Sequence, residues 1–142
     1  LQSSVDGASI YLRMKLGGAY DTATNYTFEG ETTNSGSGAG VYVEAAGATS
    51  AQITLASEVG NAASESHNGQ VHVFSPSSTT LFKQITWHGG NVARTSTTGR
   101  LFRSTGAGYN RGATTALTGI RIFPSSGNIA TGTFRLYGIT NS

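Results

Sequence analysis

A chain of 142 residues is one domain's worth and long enough to bury a single core. Charged residues make up only 11% and cysteine is absent, which excludes a disulfide framework and thiolate metal sites and leaves solubility to Ser, Thr, Asn and exposed backbone. No apolar run approaches the ~20 residues of a membrane-spanning helix and no basic-plus-apolar signal peptide is present, so no membrane insertion is expected.

The pattern along the chain is that of short strands. Residues 10–16 alternate, with Ile10, Leu12, Met14 and Leu16 on one face and Tyr11, Arg13 and Lys15 on the other. Residues 25–33 repeat this around Tyr26 and Phe28, ahead of Glu29 and Glu31. Residues 34–40 read as a Ser/Gly loop or turn. Strands follow at 41–44 and 51–56, the second with Ile53 and Leu55 facing inward. Residues 60–69 form a polar loop ending in Asn68-Gly69, a favoured turn pair. A strand at 71–74 is stopped by Ser75-Pro76. Another at 80–88 puts Leu81, Ile85 and Trp87 on one parity, and weaker ones occupy 92–97 and 100–103. Residues 106–112 read as a glycine-rich loop. Two further runs, 120–123 and 133–139, flank a Ser/Gly/Asn linker and predict a closing hairpin with Phe134 and Leu136 toward the core. Nowhere do apolar residues recur at helical spacing for more than about two turns. The expectation is one all-β domain over 1–142, an antiparallel β-sandwich of about 8–10 strands with no significant helix.

Charge is divided along the chain. All seven acids lie in the first 65 residues, beside only Arg13 and Lys15, and seven basic residues with no acid follow, giving about −5 (2 − 7) and +7 (7 − 0). The arginines stand singly without interleaved stacking aromatics, which argues against nucleic acid as a partner. The halves are expected to interdigitate within the sandwich or to meet across subunits.

No catalytic constellation stands out. Asp6 and Asp21 lie in glycine-rich contexts and no Gly-x-Ser-x-Gly elbow occurs. Glu29 and Glu31 share a strand face at i, i+2, a spacing that could approach that of a glycosidase pair, but a solvated strand face is the simpler reading. His67, His72 and His88 lack the clustering of a zinc site, the glycine-rich runs open no helix as phosphate loops do, and the Asn25-Tyr-Thr27 sequon is short enough to arise by chance. The chain is therefore expected to be no enzyme and to need no metal or cofactor. Aromatic residues near predicted loop ends (Tyr20, Tyr42, Trp87 and Tyr109) could stack on a sugar ring. Trp87 shares parity with Leu81 and Ile85 and is expected in the core, which leaves Tyr109 as the better exposed candidate.

The segment Ile120-Arg-Ile-Phe-Pro-Ser-Ser-Gly-Asn-Ile-Ala-Thr-Gly-Thr-Phe-Arg-Leu-Tyr-Gly-Ile139 resembles the ending of β-sandwich domains in tailed-bacteriophage virion proteins, of tail, fibre or capsid-decoration type. The opening, Asp6-Gly-Ala-Ser-Ile-Tyr-Leu-Arg-Met-Lys-Leu16 followed by Tyr20-Asp-Thr, is similar to their first strand. The resemblance brackets the chain, and its middle agrees in character only. It implies a jelly roll like that of tumour necrosis factor, a homotrimer, and a non-enzymatic virion part for assembly or host attachment. Its partners would be other virion proteins and a host-surface glycan. Candidate ligand or interface residues are Trp87, Tyr109, Arg121, Arg135 and Tyr137. The alternatives are a carbohydrate-binding module and, third, a glycan-degrading enzyme.

Overall fold

The computed structural model describes residues 1–36, 38, 40–54, 59–95 and 98–139. Among them eleven strands and no helix occur: β1 (Gln2–Ser3), β2 (Ile10–Leu16), β3 (Ala19–Tyr20), β4 (Tyr26–Asn34), β5 (Gly40–Ala48), β6 (Ala51–Gln52), β7 (Ser66–Phe74), β8 (Lys83–Thr95), β9 (Thr98–Asn110), β10 (Leu117–Pro124) and β11 (Ile129–Thr131). The fold is an antiparallel β-sandwich. One sheet has five strands in the order β5-β4-β9-β8-β7. The other has four, with β10 and β3 on either side of β2 and β6 pairing β2 further along. A two-stranded ribbon, β1-β11, completes the set. The chain makes the β4-β5 hairpin, passes through β6 in the opposite sheet, and returns as the β7-β8-β9 meander to pair with β4.

The alternation of residues 10–16 sets the core: Ile10, Leu12 and Met14 are fully buried and pack with Tyr26 and Phe28 from β4, Ile53 beyond β6, and Ile85 and Trp87 from β8. The expectation for Leu55 falls outside the described residues. Leu81, expected in this core, is exposed. Strand β8 begins later than its apolar pattern suggested, and the inward position two residues on is taken by Lys83, which is completely buried. Its ammonium donates to the carbonyl oxygens of Ser78 (2.7 Å), Leu81 (2.8 Å) and Thr114 (3.0 Å), using all three of its donors. It thus ties the β7–β8 connection to the β9–β10 connection.

Two segments expected to be loops lie within strands. Asn68-Gly69 sits in β7 opposite Gly90 and Gly89. Residues 106–110 belong to β9, with Gly106 between Gly30 and Trp87 and Gly108 between Phe28 and Ile85. These glycines serve close packing rather than turning. A β-carbon at Gly106 would collide with Trp87 Cζ2, one at Gly30 would come within 3.0 Å of the same atom, and one at Gly108 would come 2.9 Å from Phe28 Cβ. Aromatic rings fill the space their missing side chains leave.

The expected closing hairpin does not form within one copy. Residues 117–124 are β10 and pair with β2, but after the turn at 125–128 the chain is taken by β1. Ile129 stands opposite Ser3 and Thr131 opposite Gln2, and Ser4 N–H donates to the Asn128 carbonyl at 2.8 Å. This capture leads residues 132–139 away from β10. They join no strand, and Phe134 and Leu136 are 56% and 91% exposed rather than in the core.

Lys83→Met should lower stability by about 2–4 kcal/mol, since three buried carbonyls lose their donor. A thermal melt should move down by roughly 5–15 °C for a domain of this size. His67, on the inward parity of β7, has its pKa pulled down to about 4, first by burial and then by the nearby Leu1 ammonium. A depressed base favours the neutral folded state, so its contribution is complete above about pH 6.5 and lost as pH falls toward 4. Urea melts at pH 7 and pH 4 should differ through this group by about 2–3 kcal/mol, and His67→Gln should remove that part of the difference.

Candidate functional site

Because side chains alternate along a strand, the five-stranded sheet has an outer face built from the residues between its core positions. Register then fixes which of them meet. One row runs Glu44, Glu29, Ala107, Thr86, His72 across β5, β4, β9, β8 and β7. The next runs Ala46, Thr27, Tyr109, Gln84, Phe74. All of these residues except His72 line an open groove of about 860 Å³ whose floor is mainly apolar.

The groove has an aromatic end and an acidic end. At the first, Tyr109 is 37% exposed and Phe74 is 48% exposed, and Phe82, from the segment before β8, tilts against Tyr109 at 6.4 Å between ring centroids. Gln84 stands between Tyr109 and Phe74 in the row, an amide beside two rings. At the second, Glu29 and Glu44 are directly opposite on β4 and β5, both exposed. Directly opposed like charges oppose the pairing of their strands, so this pair is a local cost that a ligand donor could offset. Glu31, one row further, faces Tyr42 instead. The carboxylate pair is thus Glu29 with Glu44 across strands, a partnership that only register reveals. On the far side of the sheet, on β7 and β8, His72 and His88 stack at 6.4 Å, whereas His67 lies on the opposite parity. Among the described residues no three His, Cys, Asp or Glu side chains gather in a way that could hold a metal ion.

The outer face of the other sheet is basic. Arg13 on β2 and Arg121 on β10 are opposite one another, with guanidinium carbons 4.7 Å and 5.1 Å from the centroid of the Phe123 ring. Tyr11 stacks on that ring at 5.8 Å and Lys15 continues the same parity. The two halves of the sequence interdigitate, β4 pairing with β9 and β2 with β10, but the second pairing sets Arg13 against Arg121 rather than against an acid.

The five residues singled out from the sequence do not form one site. Trp87 is buried, 5% exposed, in the space above Gly30 and Gly106, so it is unavailable to a surface ligand. Tyr109 lies in the groove, Arg121 lies on the basic face, and Arg135 and Tyr137 project from residues 132–139. Sequence reasoning missed Phe74, Phe82, Gln84 and Glu44. The signal available for Phe74 and Gln84 was their outward parity relative to Val73 and Ile85. The sequon residue Asn25 already uses its amide, donating to Asp21 Oδ2 at 3.0 Å.

No known protein family, curated protein or solved structure matches the chain.

Replacing Glu44 with Thr should stabilise the fold by roughly 0.2–1 kcal/mol at low ionic strength, by relieving the opposed charges. The gain should shrink in 1 M salt, where screening acts within about 3 Å. Chemical denaturation at two salt concentrations measures both.

Proposed function

We propose that this chain is a non-enzymatic virion domain of the tailed-bacteriophage kind, a jelly-roll-like sandwich that assembles as a homotrimer in a tail, fibre or capsid surface. Its role is assembly, host attachment or both. The observation that carries this reading is the run of exposed apolar side chains in residues 132–139, where Phe134, Leu136, Tyr137 and Ile139 are 56%, 91%, 77% and 84% exposed. A patch of this kind on a low-charge domain is the mark of a surface that meets protein. The likeness of residues 120–139 to phage virion endings supplies the setting.

A second reading, a carbohydrate-binding module, is favoured by the groove. Tyr109 and Phe74 offer ring faces to the apolar side of a sugar, and Gln84, Thr86 and Glu29 offer hydrogen-bonding groups beside them. The two readings join if the trimer displays this groove toward a host-surface glycan. A glycan-degrading activity has less support. Glu29 and Glu44 both lie exposed on one strand pair, outside any enclosed cleft that would hold a glycosidic bond between them.

Light scattering at micromolar concentration should give the molar mass of a trimer, and a clean monomer would sink the assembly reading. On a glycan array, selective binding should weaken at least about ten-fold in Tyr109→Ala, the effect of losing one aromatic contact. An array silent for the parent protein, with a stable trimer, removes the carbohydrate reading and leaves the structural one.

A further inference from the structure

We infer that residues 133–139 form the missing edge strand of a neighbouring copy, adding to the free side of β10, so that the four-stranded sheet is completed in trans. This rests on the assembly reading above and specifies its contact.

Three observations meet here. The first is the donor. Residues 133–139 read Thr-Phe-Arg-Leu-Tyr-Gly-Ile, a strand pattern by alternation and by β-branched and aromatic content, yet among the described residues they join no strand of their own copy. The second is the acceptor. Among the described residues β10 is the outermost strand of its sheet, and its inward residues Ile120 and Ile122 are only partly buried. Val71 and Val73, on the edge strand β7 of the facing sheet, are likewise half-covered. An added strand beside β10 would cover Ile120 and Ile122 with Phe134 and Leu136. The third is length: seven residues extend about 23 Å at a strand's rise, against about 26 Å for the eight of β10.

In its own copy β1 holds Ile129 and Thr131, and residues 132–139 continue from that ribbon exposed and outside any strand. Donation is therefore head-to-tail: each copy gives one strand and receives one, and a ring closes when the rotation allows, three-fold in the trimer proposed. In the received strand Arg135 and Tyr137 would face outward beside Arg121. The pairing hydrogen bonds of the backbone supply affinity, and the two apolar side chains set the register.

The absence of cysteine makes the test clean. Arg121→Cys in one preparation is mixed with Arg135→Cys or Tyr137→Cys in another and oxidised. A disulfide joining the two variants is the expected result. Phe134→Ser/Leu136→Ser should weaken self-association at least about a hundred-fold while its circular dichroism stays that of a folded β-sandwich. An oligomer that persists without either cross-link, or that links Tyr137→Cys to Thr86→Cys in the groove, overturns strand donation but leaves assembly standing. A monomer in which Arg121→Cys/Tyr137→Cys closes an internal disulfide overturns both.

Discussion

The hydroxyl of Tyr26 holds the two sheets at a fixed setting. Tyr26 begins β4 in the large sheet and is fully buried, yet its oxygen accepts the Met14 N–H at 2.8 Å, a backbone donor of β2 in the small sheet. It also donates to the Asp21 carbonyl at 3.3 Å. The Asp21 carboxylate gathers Asn25 and Asn110 amides at 3.0 Å and 2.7 Å and the Ala23 N–H at 2.9 Å. Burial alone would raise the carboxyl's pKa, but hydrogen bonds from Asn110, Asn25 and Ala23 bring the net value below normal. Hydrophobic packing between sheets is non-directional and would tolerate sliding. A buried network of this kind does not, since any slip leaves polar groups unpaired. The rows of the outer face are aligned by register within the large sheet, and the network fixes where that sheet sits over β2.

Lys83 plays a comparable part at another connection, with three carbonyl partners where the parity of the strand invited a leucine. Both devices place polar atoms in the interior of a small domain poor in charge. Both tie loops to strands, where apolar contact is thinnest. The middle of the sandwich is different: there Trp87, Phe28 and the glycines beside them interlock by shape alone.

The alternation of apolar and polar residues made the strand content and the inward faces of β2, β4 and β8 legible from sequence, because a period of two needs no knowledge of neighbours. What failed were inferences that depended on partners. Gly69 and Gly106 looked like turn residues because glycine serves two purposes, and only the rings and backbone across from them show which one applies. Leu81 was placed inside by parity, without knowing that Lys83 would find three carbonyls. Of the hairpin expected over 120–139, the first run forms β10 but the second, 133–139, joins no strand; the competition from β1 for Ile129 and Thr131 could not be seen along the chain. Of the groove, Tyr109 was legible as an exposed aromatic; its companions Phe74, Gln84 and Glu44 come from three other strands and required register.

The alternation of the large sheet has an evolutionary consequence. Residues that hold the fold together and residues that meet the surroundings occupy the same strands at alternate positions, with glycines and aromatic rings locking the inner set. Thr27, Gln84, Thr86, Ala107 and Tyr109 contribute to the outer set and almost nothing to the interlocking beneath. A lineage could therefore rewrite that surface one residue at a time, each step close to neutral for folding, and change what it adheres to without inventing a new scaffold.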